Sequence, residues 1–251
     1  MKIVWLSANR FGYELLREAI RVVRIDTVIT LSEKATTRMY APIKRGKWRV
    51  ITIHHGIEWI EIERINDEVE KLKEISPDYI IVAGWRQIIS QEILDIPKYG
   101  VIGFHPTLLP EGRGSAPIIN TILFGVKMSG SSMFFYNNRI DAGDVISQRH
   151  FYITENDYAQ DVYDKYINAS INLIRFYLPI LENGELSRKQ QDESKAIYYP
   201  KRTILDNEIT LFDDLETIDR KVRAFSKPYL GAFIKRDGKK LIIERCRIEN
   251  E

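Results

Sequence analysis

The sequence predicts an α/β fold, in which a Rossmann-like N-terminal part with a mostly parallel sheet is followed by a small C-terminal β-rich region. An apolar, β-favouring run at residues 2–6 precedes helically spaced apolar residues at 13–23 and a second buried run at 25–31. This strand–helix–strand opening is typical of parallel strands. From about residue 185 the chain changes to short strands and turns. We therefore expect an N-terminal domain at residues 1–184 and a C-terminal extension at residues 185–251.

The other elements follow from apolar spacing, caps and turn residues. Strands are expected at residues 50–54, 79–83, 128–136 and 144–152, and helices at residues 66–75, 91–94, 117–124 and 157–182. Asn66 is expected to cap the first of these helices, and Pro117 suits the first turn of the third. Residues 32–48 are polar and predict a solvated loop, or else a rim contact for a phosphate. The pair Asp237-Gly238 predicts a hairpin turn.

Composition limits the classes of protein that fit. The chain has 251 residues, 44% of them hydrophobic and 29% charged, which is ordinary for a soluble globular protein. A net charge of +2 does not favour nucleic acid or an anionic membrane as a partner. Cys246 is the single cysteine, which excludes an internal disulfide and fits a reducing compartment. Without a signal-peptide pattern or an apolar run of ~20 residues, we expect a cytoplasmic protein with no membrane partner.

Two common kinds of cofactor site are not predicted. The turn Ser7-Ala-Asn-Arg-Phe-Gly12 lacks the G-x-G-x-x-G pattern of dinucleotide sites, so NAD is not expected. His54 and His55 would face opposite sides of a strand. His105 and His150 lie far from them in sequence. We therefore expect no metal cluster.

The most informative stretch runs from Val101 to Pro117. It opens as a strand, places His105 at the end of that strand, and continues with prolines, glycines and one arginine. Proline fixes φ and glycine permits positive φ, so the loop has a defined shape. Open α/β sheets bind ligands beyond the carboxyl ends of their strands, and a free imidazole has a pKa of ~6.5. His105 is therefore a candidate catalytic residue, although a lone histidine beside a proline is more often structural.

Two motifs resemble the signature of the folate-dependent formyltransferases. They are His105-Pro-Thr-Leu-Leu-Pro-Glu-Gly-Arg-Gly-Ser-Ala-Pro117 and the pair Gly130-Ser-Ser-Met133 and Ile140-Asp-Ala-Gly-Asp-Val-Ile146. His105 and Asp141 lie 36 residues apart, and a weaker likeness extends over residues 1–233. The family includes methionyl-tRNA formyltransferase, glycinamide ribonucleotide transformylase and the sugar N-formyltransferases.

The resemblance implies formyl transfer to an amine, with N10-formyltetrahydrofolate as co-substrate and no metal. This acyl transfer needs a donor aimed at the developing oxyanion and a base for the attacking nitrogen. The resemblance implies that His105 and Asp141 form the catalytic pair; by itself, an aspartate in such a turn is more often a cap. It also implies a folate-binding set: Gly84, Trp85, Arg86, Ile88, Ile140 and Asp144. Ordinary packing explains Trp85 equally well, and Asp144 is the better structural carboxylate.

One position departs from the family pattern Asn-x-His, because Gly103 stands where asparagine is expected. The amide usually credited with gripping the formyl oxygen is therefore missing. Three outcomes are open: backbone N–H groups with His105 form the oxyanion site, a nearby amide replaces the asparagine, or the protein binds its ligands without turnover. The nearby amides are Asn120, Asn137 and Asn138. Losing one oxyanion donor lowers the rate by ~10²–10³, which weakens an enzyme without abolishing its activity. Because His105, Asp141 and the loop residues are otherwise intact, we favour an active enzyme.

Three acceptors fit the family: charged initiator tRNA, glycinamide ribonucleotide and a nucleotide-linked amino sugar. Fewer than 70 residues follow Glu185, and the weak net charge does not favour tRNA. The stretch Pro228-Tyr-Leu-Gly-Ala-Phe233 is similar to one in sugar formyltransferases. We expect a UDP- or dTDP-linked amino-dideoxy sugar, used in cell-surface polysaccharide biosynthesis. The alternatives are a methionyl-tRNA formyltransferase-like enzyme and a non-catalytic folate or nucleotide-sugar binding protein.

The candidates for binding this acceptor are mostly cationic and aromatic side chains, which pair with pyrophosphate and stack on a base. The predicted set is Arg113, Gly114, Tyr199, Lys201, Arg202 and Tyr229, with Tyr198, Arg223 and Phe225 as further candidates. Taken singly, each of these residues is more often structural or on the surface, whereas together they favour a nucleotide-linked acceptor. A homodimer is expected, because most soluble oligomers have two-fold symmetry.

Overall fold

The computed structural model describes residues 1–36, 42–183 and 186–249. Its strands are β1 (Ile3–Ser7), β2 (Thr27–Leu31), β3 (Glu58–Ile62), β4 (Tyr79–Val82), β5 (Gly100–His105), β6 (Arg113–Gly114), β7 (Met128–Phe135), β8 (Val145–Tyr152), β9 (Tyr198–Tyr199), β10 (Ala232–Arg236) and β11 (Lys239–Ile243). The main sheet has the order β3-β2-β1-β4-β5-β7-β8. Its first five strands are parallel, and β7 and β8 are antiparallel. The predicted α/β fold with a mostly parallel sheet is confirmed.

Helices cover both faces of this sheet. They are α1 (Arg10–Val22), α2 (Glu33–Thr36), α3 (Arg45–His55), α4 (Val69–Ile75), α5 (Gln91–Leu94), α6 (Pro117–Leu123), α7 (Ala159–Tyr177) and α8 (Leu215–Phe225). Helix α1 begins three residues earlier than predicted, because the side chain of Asn9 accepts a hydrogen bond from the N–H of Gly12 and caps the helix. The four helices predicted from residue 66 onward are all present; α5 has the predicted bounds, and the other three have shifted ends.

The core consists of two apolar layers, one on each face of the sheet. All five residues of β1 are buried, as expected for a central parallel strand. Ile3 and Trp5 pack on one face with α1, α3, α6, α7 and α8. Val4 and Leu6 pack on the other face with α4 and α5. Successive side chains of a strand point to opposite faces, so this run of apolar residues serves both layers at once.

The strand predicted at residues 50–54 is wrong, because these residues belong to helix α3. Its buried side chains, Trp48, Ile51 and Thr52, have the spacing of one helix face. The loop predicted at residues 32–48 contains α2 and the start of α3, while residues 37–41 of it lie outside the described residues.

Asn66 has a different role from the predicted helix cap. A 3₁₀ turn covers Ile65–Asp67, and α4 starts only at Val69. The Asn66 amide donates to the carbonyl of Ile88 and accepts from the N–H of Ser90, at 3.1 and 3.0 Å. Asn66 therefore fixes the loop that follows β4 rather than the start of a helix.

The C-terminal segment packs against the main sheet's helices. Strand β9 pairs with β6 in parallel, and α8, which the sequence analysis did not predict, contacts α6. The predicted hairpin is present as β10 and β11, and both turn residues, Asp237 and Gly238, have positive φ. Val222, Phe225 and Ala232 join the apolar layer that contains α1 and α7. A domain boundary at residues 184–185 stays a prediction.

Membrane-spanning helices and metal-binding clusters are both absent from the described residues. Among the described helices, none combines the length and apolar character that crossing a bilayer requires. No group of three His, Cys, Asp or Glu side chains in the described ranges is arranged to hold a metal ion. His54 and His55 lie at the end of α3, where their ring centroids are 4.7 Å apart.

Candidate active site

A cavity of about 660 Å³ opens where β4 and β5 end. Ligand pockets usually enclose ~300–1,000 Å³, and open α/β sheets place them beyond the carboxyl ends of their strands. The predicted site residues that line this cavity are Gly84, Trp85, Arg86, His105, Gly114, Asp141, Arg202, Phe225 and Tyr229. The fold thus brings the histidine and the aspartate together with part of each predicted binding set.

His105 is the last residue of β5, and its side chain is almost fully buried. Its Nε2 atom lies 2.8 Å from the carbonyl oxygen of Gly112. A carbonyl oxygen only accepts, so Nε2 carries a proton and donates it to this hydrogen bond. In the neutral ring Nδ1 is therefore the unprotonated nitrogen, and it is the atom that can take up a proton.

Asp141 faces Nδ1 of His105. The distance from its Oδ2 atom to Nδ1 is 3.6 Å, slightly beyond a direct hydrogen bond. Oδ2 also accepts from the N–H of Gly114 at 2.9 Å. Asp141 has a left-handed backbone, with φ of 51°, and its carbonyl accepts from the amide of Gln191. These contacts fix the carboxylate where it attracts a proton carried by Nδ1.

The loop after β4 forms one wall of the cavity with Gly84, Trp85 and Arg86. Gly84 has a φ of 69°, and a Cβ atom built on it would lie 1.9 Å from Oδ1 of Asn9. Only glycine therefore fits between this loop and the start of α1. Asn9 itself lines the cavity and was not predicted as a site residue.

Three residues of the predicted folate-binding set lie outside the cavity lining. Ile88 is 79% exposed and borders a separate shallow pocket with Arg64 and Asn66. Ile140 is exposed on the surface. Asp144 accepts a hydrogen bond from the N–H of Phe135 through its backbone carbonyl, which is a sheet contact. These three side chains therefore do not line the cavity.

Arg113, predicted to bind substrate, is instead a buried structural residue. Its side chain is 0% exposed and does not line the cavity. The guanidinium donates to the amide oxygen of Gln191, to the carboxylate of Glu193 and to the hydroxyl of Tyr198, at 2.8 to 3.1 Å. Arg113 therefore holds residues 191–198 against the signature loop.

The C-terminal segment closes the other side of the cavity. It contributes Arg202, Thr203, Ile204, Asn207, Phe225, Pro228, Tyr229 and Leu230. Arg202 donates from Nε to Oδ1 of Asn120 at 2.7 Å, which positions its guanidinium at the cavity wall. Two other predicted residues lie outside the lining: Tyr199 packs beside Phe124, and Lys201 is exposed.

None of the amides predicted as replacements for the missing asparagine lines the cavity. Asn120 is fully buried and donates to the carbonyls of Ser115 and Pro200. Asn137 and Asn138 are exposed in the turn after β7. The side chain closest to the vacant position at Gly103 is Tyr136, which lines the cavity and which the sequence analysis missed.

An aromatic wall was also missed. Phe11 stacks on Tyr166 with a ring separation of 4.2 Å, and the Tyr163 hydroxyl accepts from the N–H of Phe11. Burial raises the pKa of Tyr163 to about 12, so this hydroxyl stays neutral. Tyr163 and Tyr166 lie on one face of α7, and such spacing in a sequence does not distinguish core from cavity.

An α/β sheet with a histidine–carboxylate pair in a ligand-sized cavity is typical of an enzyme that uses general acid–base chemistry. A profile described as formyl transferase matches residues 6–175. The methionyl-tRNA formyltransferase of Thermotoga neapolitana is 30% identical over 242 residues, which cover 93% of this chain and 76% of that protein. That of Bacillus subtilis is 38% identical over 206 residues, covering 79% and 63% respectively. The chain belongs to the formyl transferase family, an enzyme family whose formyl donor is N10-formyltetrahydrofolate.

Solved structures with similar folds include sugar N-formyltransferases. The one from Shewanella sp. FDAARGOS_354 has a TM-score of 0.76 at 20% identity, and the match covers 100% of this chain and 99% of that one. An N-formyltransferase from Helicobacter canadensis, solved with folinic acid and dTDP-3-aminofucose, has a TM-score of 0.73 at 19% identity over 96% and 86% of the two chains. At such identities the similarity shows the fold alone. The chain spans less than two thirds of the Bacillus subtilis relative.

Proposed function

We propose that this protein transfers the formyl group of N10-formyltetrahydrofolate to the amine of a nucleotide-linked amino-dideoxy sugar. The observation that carries the proposal is that His105 and Asp141 line one cavity. They lie there between the loop after β4 and the C-terminal segment. One wall suits a folate and the other offers a cation and an aromatic ring for a nucleotide. This arrangement lets two ligands meet at the histidine.

The cavity fits a reduced folate in size and in chemistry. Its volume of about 660 Å³ suits a ligand larger than a simple amine. The loop from Gly84 to Arg86 offers a close-lying backbone and one cation, and Val82 and Trp85 supply apolar surface. These residues would hold the co-substrate, which supplies the formyl group when it is bound.

The proposed chemistry uses Nδ1 of His105 as the base. In the reaction the amine nitrogen bonds to the formyl carbon, the bond from that carbon to N10 breaks, and the proton lost by the amine ends on N10. Nδ1 takes that proton and returns it, because Nε2 is committed to the carbonyl of Gly112. The carboxylate of Asp141 stabilises the charged ring during this exchange.

The acceptor side rests on Arg202 and Tyr229. A guanidinium binds phosphate oxygens in pairs, and an aromatic ring stacks on a nucleobase. The dTDP-3-aminofucose bound to the Helicobacter canadensis protein supports an acceptor of this class. So does a match that covers nearly all of the Shewanella sugar N-formyltransferase. A role in cell-surface polysaccharide biosynthesis, a cytoplasmic location and a homodimer stay predictions.

Methionyl-tRNA is the second candidate acceptor. The relatives at 30% and 38% identity are methionyl-tRNA formyltransferases. The exposed hairpin of β10 and β11 also carries four cations, Lys235, Arg236, Lys239 and Lys240, which suit a phosphate backbone. Against this, the cavity wall built by the C-terminal segment favours a compact ligand.

A product assay separates the candidates. The wild-type protein and N10-formyltetrahydrofolate are incubated with a panel of UDP- and dTDP-linked amino sugars and, separately, with methionyl initiator tRNA, and formylated products are identified by mass spectrometry. We expect one or more formylated sugars. Formylation of tRNA alone would overturn the sugar assignment. Folate binding without any product would favour a non-catalytic binding protein.

A further inference from the structure

The ring of Tyr136 lies in the space that a side chain at position 103 would need. In the pairing of β5 with β7, Gly103 is opposite Phe134, so Gly103, His105 and Phe134 share one face of the sheet. Tyr136 follows two residues after Phe134 and packs on it, with ring centroids 5.2 Å apart. A Cβ atom built on Gly103 would lie 2.1 Å from Cε1 and 2.8 Å from Cζ of Tyr136. The glycine and the tyrosine therefore fit only as a pair.

The hydroxyl of Tyr136 is available to a ligand. Tyr136 lines the cavity together with His105 and Asp141. Within the part of the chain that the structure describes, no protein hydrogen bond involves this hydroxyl. Burial, and then the nearby charge of Asp141, raise the pKa of Tyr136 well above its usual range, so the phenol stays protonated and able to donate.

Three other donors of the signature loop and α6 are already committed. Nε2 of His105 donates to the carbonyl of Gly112, and the N–H of Gly114 donates to Asp141. The amide of Asn120 donates to two carbonyls. A formyl oxygen that gains negative charge needs a donor in a water-poor site, and these groups do not supply one.

We propose that Tyr136 is a catalytic residue whose hydroxyl donates a hydrogen bond to the formyl oxygen during transfer. The inference rests on the proposed function in requiring formyl transfer, but it does not depend on which amine is the acceptor. Negative charge grows on the oxygen as the amine nitrogen bonds to the formyl carbon, and it recedes as the bond from that carbon to N10 breaks. The phenol keeps its proton throughout, and His105 handles the proton of the amine.

The test is Tyr136→Phe, which keeps the ring over Gly103 and removes only the hydroxyl. Loss of one oxyanion donor should lower kcat by ~10²–10³ while KM for both substrates stays near its wild-type value. Thermal unfolding should be unchanged, because the packing on Phe134 is kept. The matched control is Tyr79→Phe, which alters a buried tyrosine of β4 outside the cavity lining and should leave kcat unaltered. A Tyr136→Phe variant with wild-type kcat would overturn the inference.

A second readout separates this inference from the choice of acceptor. Slow hydrolysis of N10-formyltetrahydrofolate by water, measured with no amine present, needs the same donor to the formyl oxygen. If no sugar is formylated but hydrolysis falls in Tyr136→Phe, the sugar assignment fails and the role of Tyr136 holds. If a sugar is formylated equally by both proteins, the role of Tyr136 fails and the function holds.

Discussion

Tyr136 covers Gly103, and the two residues occupy one space between β5 and β7. The glycine is therefore not an empty position in the active site. It is the residue that admits a phenol ring beside His105, and Tyr136 and Asp141 line the same cavity. A substitution at either position therefore changes the packing at the other.

Replacing Gly103 with alanine should destabilise the fold. The added methyl group would lie 2.1 Å from the Tyr136 ring, so the ring must shift. Overpacking of this kind typically reduces the free energy of unfolding by ~1–3 kcal/mol. Chemical denaturation of Gly103→Ala, compared with Gly46→Ala, measures this effect. Gly46 has open space around it in α3, so its substitution should be neutral or stabilising. Equal stability of the two variants would contradict the packing described here.

Arg113→Met should reduce stability and leave substrate affinity nearly unchanged. The substitution leaves the buried amide oxygen of Gln191 without its donor, and an unsatisfied buried group lowers the free energy of unfolding by ~1–3 kcal/mol. The exposed Lys201 provides a control, since Lys201→Met removes a nearby cation without breaking buried contacts. Denaturation and steady-state kinetics together distinguish a structural role of Arg113 from a substrate-binding role. A raised KM for the nucleotide sugar at wild-type stability would restore Arg113 to the substrate site.

Glu18 links stability to pH, because it joins α1 to α7. The hydrogen bond from Arg175, 2.7 Å from Oε1, lowers the pKa of the Glu18 carboxyl below its usual value. A carboxyl whose pKa is lower in the folded state stabilises the protein above its unfolded pKa of ~4.3, and this contribution is lost as pH falls through the folded pKa.

At pH 7, Glu18→Gln should therefore lower the free energy of unfolding, by no more than ~1 kcal/mol because Arg175 is largely exposed. The difference from wild type should shrink as the pH is lowered. Urea unfolding over this range, with Glu14→Gln as the control for a pair within α1, measures the trend. A difference that grows in acid would have the wrong sign.

The sequence predicted the parts of the fold that depend on local pattern. The strand–helix alternation identified the parallel sheet, and the signature loop identified His105 at the end of β5. Residues 50–53, Val-Ile-Thr-Ile, favour a strand by propensity, but Trp48 and Ile51 pack on one face of a helix, and tertiary packing prevails. The resemblance of both motifs to one family paired Asp141 with His105. In the structure, Oδ2 of Asp141 lies 3.6 Å from Nδ1 of His105.

The site residues that the sequence did not reveal depend on contacts between distant segments. Arg113 was read as a substrate ligand because nothing local shows that Gln191 and Glu193 enclose it. Tyr136 could be identified as a site residue only from the register of β7 against β5. Cationic and aromatic residues attract functional interpretations in a sequence, whereas the structure decides which of them face a cavity.

The central claim is that His105 moves the proton during formyl transfer, and kcat of His105→Ala tests it most directly. The variant should transfer formyl groups ~10²–10⁴-fold more slowly than wild type, since general acid–base catalysis contributes about that much. His54→Ala, which removes an exposed imidazole from α3, should keep the wild-type kcat. A His105→Ala protein that turns over as fast as the His54→Ala protein would contradict the account.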